Sequence, residues 1–272
     1  MKMVWYRVKE DDLHIHAADD GGFRLGWYQD DWVIDIGFAQ QWLLHYRQWS
    51  PSSLLPIQSI DTMFASTEAM KDLQQLYQQI LQEDWTKLLI HGEPVSLPSA
   101  DLEWRFPLND PEKLIIPAFF DPDHRWLHPS CIVSSDVAIP NAKKAFPGIA
   151  FMLGMQAGMQ HLLGCSLLNC WMLEKEWIAS LGPYLFVTDQ WRGLADQWLM
   201  IRHNDRVLAE EKINLWQLYQ QISEEQTLKE HLTFVGMVSI VFDAMSMVVE
   251  PGDQFQIQMA YLGQLQNRVD KT

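Results

Sequence analysis

Asp121, Asp123, His124 and His128 form a short run of side chains that could hold a metal ion. Carboxylate oxygens and imidazole nitrogens together can bind a divalent cation and polarise a carbonyl. His124 and His128 are four apart, as helix neighbours would be. Asp121-Pro122 and Pro129 argue against a helix there, and a polar loop is the competing account. His14 and His16 stand at i and i+2, on one face if the segment is a strand. A solvated edge strand explains them without a metal. Cys170 and His161 supply a nucleophile and a base on paper. Both lie in apolar sequence, where a thiol's pKa rises and its reactivity falls, so Cys170 reads as a core residue. The chain has no Gly-rich phosphate loop and no G-x-S-x-G elbow.

The elements that must position such residues centre on Phe146 to Thr188. An apolar run after Phe146 reads as a buried strand. Leu162 to Leu173 is nearly continuous hydrophobe, and Gly182-Pro183 reads as a turn feeding another apolar run. No acidic residue occurs from Phe146 to Leu173.

Composition narrows the classes. Of 272 residues, 48% are hydrophobic and 13 are Trp, enough for a large core in one or two domains. The Trp residues read as core or dimer contacts. With 20 basic and 35 acidic residues the net charge is −15, which repels phosphate backbones and argues against nucleic acid as a partner. Cys131, Cys165 and Cys170 make no CxxC or zinc spacing and suit reduced thiols. The N-terminus carries no signal-peptide pattern, and no apolar run reaches the roughly 18 residues of a membrane span. A cytoplasmic address and no membrane partner are the expectation.

In chain order, Met3–Lys9, Phe23–Tyr28 and Trp32–Ile36 read as strands, with a polar turn at Gln29-Asp30-Asp31. Ala39–Trp49 turns helical. Glu68 to about Asp84 places Met70, Leu73, Leu76, Tyr77, Ile80 and Leu81 on one helical face. The turn-rich stretch from Ile90 to Glu103 marks a domain boundary near residue 100. Beyond it, Leu114–Phe120, Cys131–Val133, Val137–Pro140, Trp198–His203, Phe234–Phe242 and Phe255–Met259 read as strands, and Leu215–Ile222 as a helix. The fold class is α+β: a small α+β domain over 1–100, then a strand-rich domain over 101–272.

Several strings together resemble the fumarylacetoacetate hydrolase family. The ending Val249-Glu250-Pro251-Gly252-Asp253, followed by Leu262-Gly263-Gln264-Leu265-Gln266-Asn267-Arg268-Val269, resembles that family's "PGD…GLG-x-L-x-N-x-V". Arg24-Leu25-Gly26 through Val33-Ile34-Asp35-Ile36 resembles its "RLG…VVDL". Phe106-Pro107-Leu108 through Leu114-Ile115, Trp126-Leu127-His128-Pro129-Ser130 through Pro140, and Ser180-Leu181-Gly182-Pro183-Tyr184 follow in family order. The resemblance implies a small N-terminal domain, a rolled, mostly β C-terminal domain, and a homodimer. It also implies a hydrolase or decarboxylase of β-diketo or oxo acids that uses Mg²⁺ or a similar ion held by carboxylates.

The family's metal positions do not carry those carboxylates. Its "E-x-E" glutamates align with Phe146 and Gly148, and its "ND" aspartate aligns with Cys170. A lone thiol is a soft ligand and a poor partner for Mg²⁺. The family's histidine loop has no room between Ile116 and Trp126. His128 replaces a family lysine, Lys175 is the stand-in for another, and the family's "TGTP" reads Val241-Phe242-Asp243-Ala244. The expectation is therefore a non-catalytic family relative with no cofactor, in which Phe146 and Cys170 fill the ion's place. It would bind, brace or regulate as a homodimer or with an active relative. The alternative is an active enzyme with a rebuilt Mg²⁺ or Mn²⁺ site at Asp121, Asp123, His124 and His128, with His124, His128 and Lys175 as candidate catalytic groups.

Overall fold

A computed structural model describes residues 1–9, 23–51, 67–105, 114–115, 126–127, 132–134, 137–156, 159–174, 176–223 and 235–270. The chain divides into two compact units, Met1–Asn109 and Asp110–Thr272.

Unit 1 is built from β1 (Lys2–Val8), β2 (Arg24–Gln29), β3 (Trp32–Asp35), α1 (Ile36–Tyr46), α2 (Thr67–Ile80), β4 (Leu89–Ile90), β5 (Glu93–Pro94), β6 (Ser96–Pro98) and β7 (Leu102–Arg105). Five strands pair antiparallel in the order β6-β3-β2-β1-β7, and β4 pairs with β5. The β2–β3 turn is the one expected at Gln29-Asp30-Asp31. Asp30 and Asp31 take φ of 48° and 65°, the left-handed region that two-residue hairpins need and Asp tolerates.

α1 begins three residues before the helical period does, and the reason is Asp35. Its carboxylate accepts from the Phe38 N–H at 2.6 Å and so caps the helix. The same carboxylate accepts from Tyr6 Oη at 2.5 Å and pairs with Arg24 Nε at 2.8 Å, while only 3% exposed. α2 buries Leu73, Leu76 and Ile80 completely, on the face that the sequence assigns to the core. Its Tyr77 ring meets Trp27 edge to face at 5.1 Å.

Unit 2 contains β8 (Leu114–Ile115), β9 (Trp126–Leu127), β10 (Ile132–Ser134), β11 (Ala138–Pro140), β12 (Lys144–Gln156), β13 (Met159–Met172), β14 (Trp177–Phe186), β15 (Gln197–His203), β16 (Arg206–Ile213), α3 (Leu215–Ser223), β17 (Val235–Val241), β18 (Met247–Val248), β19 (Gln254–Met259) and β20 (Gly263–Asp270). One sheet runs β9-β8-β17-β12-β13-β14-β10, with β18 also on β12. The other runs β11-β20-β19-β15-β16. One apolar core joins them. Ile149, Phe151, Leu167 and Trp171 come from the first sheet, Leu199, Ile201, Phe255 and Ile257 from the second, and Leu215, Tyr219 and Ile222 from α3.

β12 and β13 explain the unbroken hydrophobic run. Both faces of this pair are buried: Ile149 and Phe151 on one, Phe146 and Met152 on the other. A strand covered on both sides loses the alternation of a half-exposed one. Gly182-Pro183 is not the turn its sequence suggests. It lies inside β14, where Pro183 brings no N–H to the ladder. The register against β13 slips there, between Cys165 and Leu167, and the Ser166 hydroxyl donates to the Tyr184 carbonyl at 2.9 Å. β16 carries no hydrophobic pattern because nearly all of its side chains are exposed. Among the described residues, no helix is long and apolar enough to cross a membrane.

Candidate functional site

The three positions that the resemblance assigns to metal ligands meet on the β12–β13 ladder. Phe146 stands directly across from Cys170, and Gly148 lies two residues further along β12, across from Leu168. Phe146 is 2% exposed and Cys170 is 0% exposed. The Phe146 ring packs on Trp177 with centroids 5.3 Å apart, and Lys144 Nζ sits 4.6 Å from its centre. Burial pushes the Cys170 thiol far above its ordinary pKa, so at neutral pH the sulfur is a protonated, weak donor.

Gly148 is the most restrictive of the three. A Cβ built there would stand 2.2 Å from the Ile240 carbonyl oxygen on β17 and 3.1 Å from Val241 Cα. These are backbone atoms of a paired strand, so no side chain fits without moving β17 off the ladder. The site offers a hard cation an aromatic ring, a protonated thiol and a glycine, and these do not fit Mg²⁺ or Mn²⁺, which take oxygen ligands.

Other candidates divide into those outside the described residues and those separated by the fold. Asp121, Asp123, His124, His128 and Lys175 lie outside the described residues, as do His14, His16 and Cys131. Cys170 and His161 are both on β13, nine residues apart, or about 30 Å along the strand. His161 faces Gly154 at the far end of the ladder, so the two cannot act as nucleophile and base. Cys165 is fully buried, and burial pushes its thiol well up too. Among the described residues, no group of three His, Cys, Asp or Glu side chains could hold a metal. A groove of about 460 Å³ opens beside the β13–β14 turn, lined by Asn141, Lys143, Leu173, Glu174 and Glu176.

One polar cluster was not legible in the sequence. His203 Nε2, at the end of β15, lies 2.8 Å from Asp253 Oδ2 in the turn before β19. Asp253 also accepts from the Glu250 N–H at 2.8 Å and from Asn204 Nδ2 at 3.2 Å. Desolvation raises this carboxyl, but the Glu250, His203 and Asn204 donors outweigh it and leave its pKa below the ordinary value. The Pro251-Gly252-Asp253 string is thus a turn clamp: Gly252 takes φ 99° and Asp253 ties the turn to the β15–β16 loop. Arg24 of the N-terminal string likewise pairs with the buried Asp35, which caps α1.

Two sheets over one core, with a long central hairpin and a separate α+β unit, make the fumarylacetoacetate hydrolase-like fold. Maleylpyruvate hydrolase from Sphingobium sp. SYK-6 shares it over 100% of both chains, with a TM-score of 0.65 and 14% identity. A second structure of that hydrolase, in complex with manganese(II) and pyruvate, matches over 100% of this chain and 99% of its own, also at 0.65 and 14%. The 5-carboxymethyl-2-hydroxymuconate delta-isomerase of Mycobacterium smegmatis matches over 100% of both chains at 0.56 and 15%. No family model matches the sequence, and no curated protein matches it. At these identities the likeness establishes the fold.

Proposed function

We propose that this chain is a non-catalytic protein on a fumarylacetoacetate hydrolase-like scaffold, acting as a binding, structural or regulatory dimer. Its divalent-metal centre has been replaced by packed core. The observation that carries this reading is Gly148, where the Ile240 carbonyl oxygen stands 2.2 Å from any Cβ. A glutamate there would need β17 displaced, so the neighbouring strand has closed onto the ligand position. Phe146 and Cys170 then pack where the other two carboxylates would face the ion.

The manganese and pyruvate held by the Sphingobium hydrolase supply the probes. Purified protein is titrated with Mn²⁺, then with pyruvate in the presence of Mn²⁺, by calorimetry. Its metal content is measured, and turnover is assayed on a panel of β-diketo and oxo acids. The expected result is no stoichiometric metal and no turnover above the metal-only control. One equivalent of tightly bound Mn²⁺ with oxo-acid turnover would overturn the reading.

A further inference from the structure

Two imidazoles meet on the surface of unit 1, each fixed by its own element. His45 stands in the last turn of α1, and His91 at the tip of the hairpin between β4 and β5. Their ring centres are 6.2 Å apart, with the planes at 59°. Tyr46 braces the His45 ring edge to face, with centroids 4.5 Å apart. Both histidines are exposed. Ile90 pairs with Glu93, so His91 and Gly92 make a two-residue turn, with φ of 53° and 90°. Such a turn favours Asn or Asp at its first central position, because a short polar side chain suits the left-handed backbone. A histidine there takes the less favourable backbone and sets an imidazole beside His45.

We propose that His45 and His91 form a surface site for a borderline divalent ion, Zn²⁺, Ni²⁺ or Cu²⁺, with water in its remaining positions. Neutral imidazole suits these ions, whereas Mg²⁺ and Mn²⁺ favour oxygen. With a metal–nitrogen bond of about 2.1 Å and about 1.1 Å from nitrogen to ring centre, each ring centre would stand about 3.2 Å from a shared ion. Two rings on one ion are then at most about 6.4 Å apart, and about 4.5–5.2 Å apart at square or tetrahedral angles. The separation of 6.2 Å lies inside that limit. A closing of about 1–2 Å reaches the bonded geometry, a movement that exposed side chains make by rotamer changes.

Charge favours a cation at this place. His45 lies at the C-terminal end of α1, the negative end of the helix dipole. Arg47, two residues on, donates to both carboxylate oxygens of Glu83 at 2.7 and 2.8 Å, so that pair adds no net charge. The chain's net charge of −15 concentrates cations at its surface. A bound ion would tie the end of α1 to a hairpin that follows α2 in the chain.

This site belongs to unit 1 and does not rest on the proposed function, which concerns the β12–β13 ladder of unit 2. Its ion also differs: two imidazoles release it to a chelator, and Mn²⁺ stands at the weak end of the divalent series. Mn²⁺-dependent turnover would therefore sink the proposed function and leave this site untouched. Chelator-treated protein is titrated with Ni²⁺, Zn²⁺ and Mn²⁺ by calorimetry, beside H45A, H91N and H161A. Asn at 91 keeps the hairpin turn and removes the imidazole. His161, exposed on β13, is the control. Wild type and H161A are expected to bind Ni²⁺ with a Kd of about 1–100 µM, and H45A and H91N to bind it at least about tenfold more weakly with unchanged circular dichroism. Substoichiometric Ni²⁺ should broaden the ring resonances of His45 and His91 ahead of those of the other histidines. Affinity that both variants retain, no binding up to about 1 mM, Mn²⁺ bound as tightly as Ni²⁺, or broadening that begins at other histidines would each overturn the proposal.

Discussion

Replacing Gly148 by Ala tests the close approach of β17 to the position that the resemblance assigns to a metal ligand, with the smallest possible side chain. The added Cβ meets the Ile240 carbonyl oxygen at 2.2 Å, whereas ordinary contact begins at 3.4 Å. A flexible side chain could swing away from such an overlap, but this atom belongs to the backbone. β17 is held to β12 from Gly148↔Val241 to Gly154↔Val235, so Ile240 cannot move alone. Overpacking in a core costs about 1–3 kcal/mol, and a fixed backbone partner puts this case at about 3 kcal/mol. For a chain of this size that is a fall in Tm of about 6–12 °C. Gly193, with nothing within 4 Å of a built Cβ, is the control, and G193A should stay within about 0.5 kcal/mol of wild type. Urea unfolding followed by fluorescence measures both, and a shift in Cm at constant m reports the loss. A G148A protein as stable as G193A would refute the reasoning, because the position would then have room for a side chain and the argument against a metal ligand there would fail.

Other consequences can be measured with the same protein. In a C131S background, Cys165 and Cys170 should resist a thiol reagent at pH 8 and react fully in denaturant, since burial holds both thiols protonated; rapid native labelling would contradict their placement. D35A should lose about 2–4 kcal/mol in urea unfolding, because it removes the α1 cap and the acceptor of the buried Tyr6 hydroxyl together. Asp253 has a folded pKa below its unfolded value, so its contribution is complete above about pH 4 and disappears as the pH falls through the folded value. The stability gap between wild type and D253N should therefore be open at pH 6 and close on acidification, and a gap that widened in acid would show the sign to be wrong.

The fold was legible wherever local pattern and burial agree. The apolar face of α2 and the alternation of β19 follow from one exposed and one buried side, and the β2–β3 hairpin from its Gln29-Asp30-Asp31 turn. Reading failed where tertiary contacts override local cues. Gly182-Pro183 looks like a turn but runs through β14, because Ser166 bridges the gap in its ladder. β16 has no hydrophobic period because it is held through its partner β15 and not through its own burial. His203 and Asp253 are fifty residues apart in sequence, and only the antiparallel pairing of β15 with β19 makes them neighbours.

By itself the sequence determined that no acidic residue exists between Phe146 and Leu173, and hence that no carboxylate could come from that stretch. That follows from residue identity and holds in any fold. The tertiary structure decided what surrounds these positions. Register pairs Phe146 with Cys170, and β17 lies against Gly148 so closely that a Cβ has no place. Closeness between strands is set by packing across the sheet, which no one-dimensional pattern encodes. That Gly148 has no room for a side chain is therefore visible only once the neighbouring backbone is in place.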